Sequence, residues 1–523
     1  MPSFTHLLLL SPLSLVLYLA YQYFGRLRPL NAIPNAHFTA PFSPIWLISI
    51  RYRKRENRTV WASHKRLGPV IRLAPDEISV CTLQGIKTIY GAWDKNRWYE
   101  AFINYGVPPL VAEIYLGPHT AHKRRMANVY SKSFLQNSAD IAKFNTLMLT
   151  EGVLPKIATS AATGSSLDVL RLGYAYGMDV MSAYEFGSAY GTKFLNDDEA
   201  LSGFLAAFTA VKNGFFWAGR LPTMTQALER IGINLVPQEA MDGQAHMEDM
   251  CWKLCSRLQT ATETDSLSPS STKSVVYSQL YSSLEKNLEK TSSSPANDPD
   301  FLRKSVASDM LDHLIAGYET SGIALAYTMY ELCMHPEFQT ALRTELRSLS
   351  PPLTFPLGSE PSAFSTSTPP STLPRILDNL PLLNAALYET LRLYPPGAAG
   401  QPRVVPRGGA VLCGYALPEG VVAHAAPYSV HRNEEVFENA EEWLPERWMG
   451  DKKEVKDWFW AFGSGRAGCI GREFAVQEML VLLAAVYTNF SSHIVDADGI
   501  EPVDEFIAGP RAGKLILRFE KVE

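Results

Sequence analysis

Cysteine is scarce in this 523-residue chain. Its six copies (Cys81, Cys251, Cys255, Cys333, Cys413 and Cys469) are too scattered for a disulfide framework, which points to a reducing, intracellular setting. Cys251 and Cys255 share a helix face with only His246 close by, short of a four-ligand zinc site, so both read as packing residues. A charge excess is also missing. With 48 basic against 53 acidic residues and a net charge of −5, no broad basic field exists to hold nucleic acid. What the chain does have is apolar material, 46% of its residues, enough for a large core.

Charge is absent altogether from Phe4 to Phe24, "FTHLLLLSPLSLVLYLAYQYF", a run of the length that crosses a bilayer. No basic residue precedes it and no small-residue cleavage site follows, so it reads as a retained anchor rather than a signal peptide. Arg26 and Arg28 come next and favour a cytosolic body. The expected organisation is an anchor over 1–28, a proline-stiffened hinge over 29–40, and one domain over 41–523. Within that domain the Ser/Thr- and Pro-rich stretches 262–275, 286–300 and 350–375 read as mobile loops, since helical patterns resume on both sides.

Alternation of apolar and polar residues predicts a strand pair over Gly68–Val80, and helical periodicity dominates from Asp140 to Leu258. The segment Asn213–Met224, "NGFFWAGRLPTM", reads as a loop, apolar enough for core or for a second membrane contact. Phe301–Cys333 reads as one long helix stopped by His335-Pro336. The fold class is mainly α with small β-sheets. Inside the long helix lies Ala316–Ser321, "AGYETS", where Gly317 suggests a backbone distortion or a close ligand approach. On residue type alone, Glu319 beside it reads as exposed and Thr320 as bonding back to its own helix.

"AFGSGRAGCIGREFA", Ala461–Ala475, admits two readings. Gly463, Gly465 and Gly468 spell a dinucleotide loop, with "WFWAF" as the strand before it and Asp496 as the ribose acid. That reading, a nicotinamide-dependent oxidoreductase, leaves only 27 residues after Asp496 for the rest of a parallel sheet. The other reading takes Cys469 as a metal thiolate at a helix start, where N–H groups and the dipole stabilise negative sulfur. Phe462 then packs on a flat cofactor and Arg466 answers an anionic edge. A single thiolate with no clustered second ligand suits haem, whose porphyrin supplies the other donors.

The loop resembles the haem-binding signature of the cytochrome P450 family, F-x-x-G-x-R-x-C-x-G. "AGYETS", Glu389-Thr390-Leu391-Arg392 as E-x-x-R, and "LPERW" at 444–448 follow the family's order. The resemblance covers roughly residues 40–520. It implies the family's fold behind an N-terminal transmembrane helix, and haem b with Cys469 as the axial ligand to iron. Further implications are proton delivery by Thr320 and Glu319, a helix opened at Ala316 and Gly317, and a support network of Glu389, Arg392 and Arg447. Two departures stand out. Ala467 occupies the family's arginine position, with Arg466 one step earlier, and "HTAHKRRM" lacks the family's tryptophan. Candidate propionate contacts are accordingly Arg403 first, then His122, Arg124, Arg125 and Arg466. The apolar substrate pocket is expected from 100–113, 204–216, Ile315, 395–402 and 506–510.

No flavin or nicotinamide domain fits in the chain, so electrons from NADPH must arrive through a separate NADPH–cytochrome P450 reductase. Lys452, Lys453, Lys456 and Arg472 are candidates for meeting its acidic face. The resemblance thus implies a single-pass endoplasmic-reticulum monooxygenase with a cytosolic catalytic domain. It would insert one oxygen atom of dioxygen into a lipophilic small molecule, in the manner of filamentous-fungal secondary-metabolism members. A non-catalytic, membrane-anchored haem binder is the remaining alternative.

Overall fold

Phe301–Met334 forms one uninterrupted helix, and from Val306 to Leu332 residues on all its sides are buried. A helix apolar all round must be central, and the rest of the protein is built about it. It ends where expected. His335 leaves helical geometry, and Pro336 opens the next helix, Pro336–Arg347. The computed structural model describes residues 21–263, 274–291, 300–350, 352–355, 373–450 and 452–522.

The long helix packs against Val169–Phe186, which starts at Asp168, whose carboxylate accepts from the N–H groups of Leu170 and Arg171. At this crossing Gly317 has its physical reason. A Cβ there would lie 3.0 Å from Met181 Cγ, so the glycine admits a neighbouring helix rather than breaking its own. The distortion expected at Gly317 is not present.

Among the described residues nine strands form three small sheets: β1 (Val70–Ala74), β2 (Glu77–Val80), β3 (Ser166–Asp168), β4 (Arg403–Val404), β5 (Ala410–Leu412), β6 (Tyr415–Leu417), β7 (Val422–His424), β8 (Phe490–Asp496) and β9 (Ile516–Lys521). The first sheet runs β1-β2-β7-β4, with β2 parallel to β7 and the other pairs antiparallel. The second, β3-β9-β8, is antiparallel throughout, and β5 and β6 make a hairpin. The strand pair read from Gly68–Val80 is β1 and β2.

Three expectations meet a different structure. Asn213–Arg220 is not loop but the end of the helix Asp198–Arg220, and Pro222 opens the next helix, Pro222–Glu229. The hinge is not free chain. Leu27, Leu30 and Ile33 are buried against Val70, Ile78 and Val421, so the folded body begins before residue 41. Residues 286–291 continue the helix Val276–Thr291. Most of the other Ser/Thr/Pro-rich stretches, and the apolar run as far as Ala20, lie outside the described residues. Among the described residues no helix is long and apolar enough to cross a membrane. Cys251 and Cys255 are core residues, as their type and spacing indicated.

Candidate active site

The Cys469 loop is closed by its own backbone. Cys469 N–H donates to Phe462 O at 2.8 Å, and Gly463 and Gly465 turn at φ 67° and 66°. A Cβ on Gly465 would stand 2.8 Å from Tyr90 O, so both its φ and its surroundings require glycine. The Lys123 ammonium ties the loop from across the fold, donating to the carbonyls of Gly468 and Arg466. Cys469 precedes the helix Arg472–Asn489, whose first N–H groups face the sulfur. Its side chain is open to water-sized contact yet recessed among protein atoms. Burial pushes the thiol pKa up. The N–H groups of Gly471 and Arg472 and the charges of Lys123 and Arg472 oppose that rise without cancelling it, so these groups are the ones placed to stabilise a negative sulfur once a metal takes the proton's place.

Behind the loop, Glu389 and Arg392 are completely buried on the helix Pro381–Leu393. Both Glu389 oxygens accept from Arg392 at 2.8 Å, and Oε1 also accepts from Arg447 Nε at 3.2 Å. The remaining Arg392 donors reach the carbonyls of His431, Ala440 and Glu442. Trp448 Nε1 completes the carboxylate at 2.8 Å, and His431 Nε2 accepts from Trp460 N–H at 2.8 Å, which links the network to the chain entering the thiolate loop. Sequence reasoning missed Trp448 and His431. Trp448 closes the quoted "LPERW", but its indole N–H gave no signal at sequence level.

On the other side of the loop is a cationic recess. His119 is buried, its Nδ1 has no hydrogen-bond partner among the described residues, and burial followed by Lys95, Lys123, Arg403 and His122 holds its pKa down to about 3. Lys95 and Arg403 are buried as well. Among the described residues the Arg403 guanidinium bonds only Tyr99 Oη and Pro402 O, with no carboxylate, and burial lowers Lys95 to about 7. Buried positive charge with an orphaned ring nitrogen fits an anionic cofactor edge, so the donor set and this recess together fit haem. Arg403 belongs to this recess. His122 is committed elsewhere, with Nε2 2.6 Å from Asp309. Burial would lower its pKa, but Asp309 and Glu113 raise it to about 9. Arg124 and Arg466 are exposed and Arg125 is half-buried. His119 and Lys123, missed in the sequence, share a face of Leu116–Arg124 at i,i+4 spacing; that spacing was the available signal.

Ala316, Glu319 and Thr320 line a cavity of about 380 Å³. Of the expected segments, 100–113, 204–216, Ile315 and 506–510 contribute walls, while 395–402 does not. Thr320 Oγ1 donates to Ala316 O at 2.7 Å, bonding back to its helix. Glu319 is buried rather than exposed. Burial raises its pKa and the Lys212 ammonium, 2.6 Å away, opposes that rise.

The dinucleotide geometry is absent. "WFWAF", 458–462, is not a strand, since Trp458 ends the helix Lys453–Trp458 and 459–462 are irregular and turn, and the strand following the glycine-loop helix, β8, is antiparallel to β9. The family profile of cytochrome P450 matches residues 40–517. The chain belongs to the cytochrome P450 family. Among related cytochrome P450 monooxygenases, efuB of Hormonema carpetanum is 28% identical over 499 residues, 90% of this chain and 89% of the relative. Another, avaI of Aspergillus versicolor, is 25% identical over 429 residues, 78% and 92% of the two chains. As a cytochrome P450 the protein is a haem-thiolate monooxygenase that acts on a small molecule and draws electrons from a redox partner. Its arrangement of a thiol at a helix start, a saturated ion network behind it and a walled cavity beside the central helix is what that chemistry requires.

Proposed function

We propose that Cys469 ligates the haem iron and that the protein inserts one oxygen atom of dioxygen into a lipophilic small molecule of fungal secondary metabolism. NADPH supplies the electrons through a separate flavoprotein reductase. The observation that carries the assignment is the Cys469 thiol itself, accessible, set at a helix start and facing two backbone N–H groups and a lysine. Haem bound there supplies the activation of dioxygen. His119, Lys123, Lys95 and Arg403 would hold the propionates, and Glu389, Arg392 and Arg447 would keep the thiolate loop in place.

The chain's own part in turnover is to move protons and shape the cavity. Glu319 stands in the cavity wall with a carboxyl pKa that burial raises and Lys212 opposes, placed to pass a proton there. Thr320 Oγ1 spends its own proton on Ala316 O, so its lone pairs can accept a hydrogen bond from water in the cavity and keep that water in line for proton transfer. Substitution Cys469→Ala should abolish the red-shifted Soret band of the reduced carbon-monoxide complex. A folded variant that keeps the band would remove Cys469 from the iron.

The anchoring reading places the apolar run that begins at Phe4 in the endoplasmic-reticulum membrane with the body cytosolic, while Leu27, near the end of the expected 1–28 anchor, packs in the body instead. Exposed Tyr21, Phe24, Phe38, Phe42, Ile45 and Tyr52 support it, and Phe216 and Trp217 join this apolar surface at Tyr52. Exposed Lys452, Lys453, Lys456 and Arg472 are candidates for the reductase contact. Removing residues 1–20 should weaken sedimentation with membranes while the carbon-monoxide spectrum persists; undiminished sedimentation would shift the contact to the aromatic surface.

A further inference from the structure

The cavity wall carries four cations, and three of them are matched. Arg51 bonds Glu56 and Glu77 at 2.6–2.9 Å, Lys54 lies 2.5 Å from Glu505, and Lys212 lies 2.6 Å from Glu319. Arg220 is the exception. Its ion pair is the longest of the four, with Glu56 Oε2 3.7 Å away and beyond hydrogen-bond reach, while Oε1 of the same carboxylate accepts from Arg51. No hydrogen bond leaves its guanidinium among the described residues, although the side chain is only 15% exposed. The group lies over Trp98, 4.9 Å from the ring centroid, and Trp98 Nε1 is itself buried without a partner. The guanidinium carries five donors, lines the cavity and keeps only this long ion pair, so an acceptor entering the cavity finds them uncommitted.

We infer that Arg220 is a specificity-determining residue that binds a carboxylate on the substrate, an inference that rests on the monooxygenase reading. The rings of Trp98, Phe102, Phe215 and Phe506, mutually edge-on or tilted, pack on the aromatic or fused-ring body of that acid. Position also sets where oxidation falls. Lys212, which holds Glu319, precedes Arg220 by two turns and a little on the same helix, about 12 Å along its axis. A substrate held by its carboxylate at Arg220 therefore presents its far end to Glu319 and Thr320, and the oxygen enters remote from the acid group.

The test uses the haem-loaded full chain with 2-naphthylacetate and its uncharged primary amide as probes, and binding is read by equilibrium dialysis, which does not depend on turnover. A charge-assisted hydrogen bond predicts that the unaltered protein prefers the acid by about tenfold or more. Arg220→Met should erase that preference while amide affinity stays within about threefold, and Arg220→Lys should restore part of it. The variants' carbon-monoxide spectra report folding. Equal binding of acid and amide by the unaltered protein, or an acid preference surviving in Arg220→Met, overturns the inference. Failure of the monooxygenase reading shows separately, as a missing thiolate spectrum in the unaltered protein.

Discussion

The two faces of the Cys469 site handle buried charge in opposite ways. Behind the loop, Glu389 and Arg392 spend every donor and acceptor on fixed partners, including backbone carbonyls that cannot move away. Across the central helix, the cavity wall pairs Glu319 with a half-exposed lysine and leaves Arg220 without a hydrogen bond among the described residues. A saturated network can only hold a shape. An unsaturated one has free energy left for a ligand or a proton, which is the physical difference between a support and a site.

Removing one partner from the saturated side should have the largest effect. Glu389→Ala leaves the buried Arg392 and the half-buried Trp448 with donors unanswered, a loss on the order of 3–5 kcal/mol. Thermal denaturation should show it together with a collapsed carbon-monoxide band; a stable, fully spectral variant would mean the network is dispensable.

Glu478 sharpens the contrast, because it is a buried carboxyl with no cationic partner among the described residues. Burial pushes its pKa up to about 8, and the hydroxyl of Ser321 works against that rise. A folded pKa above the unfolded value means the folded state keeps the proton as pH rises, so stability falls between about pH 5 and pH 8. Denaturant titrations should show Glu478→Gln flattening that slope and gaining on the order of 1–3 kcal/mol at its upper end. An unchanged slope would place the titration on another group.

On the cavity side the effects should appear in turnover more than in stability. Thr320→Ala gives up one hydrogen bond to its own helix, worth about 1 kcal/mol, and should leave the haem spectrum intact. NADPH consumption should then continue while peroxide rises and product falls; product at the unaltered rate would remove Thr320 from proton delivery. Lys212→Met should cost the least stability, about 0–1 kcal/mol for a partly exposed pair. Since Lys212 holds the Glu319 pKa down, its loss should move the Glu319-dependent limb of the pH–rate profile upward. A limb that does not move would separate Glu319 from the rate.

Much of the architecture was legible from local pattern. The long helix, its proline stop and the β1–β2 pair are short-range consequences of periodicity and of proline's missing donor. The Asn213–Arg220 segment was misread because its glycines punctuate a sequence without stopping a helix that neighbours hold together. Gly317 was legible as an anomaly but not as a cause, since the Met181 side chain that needs its space lies on another helix.

The sequence by itself determined the thiolate loop, because glycine φ angles, a closing backbone bond and a helix start are all set within about ten residues. It also determined the order of the supporting motifs. Only the tertiary structure decided that His119 faces the cationic recess while His122 turns to Asp309, that Lys212 meets Glu319 from 107 residues away, and that Arg220 keeps only a 3.7 Å ion pair to Glu56. Periodicity shows which face of a helix is buried. It does not show which charge the other wall carries, and in a low-dielectric interior that neighbour determines protonation and binding.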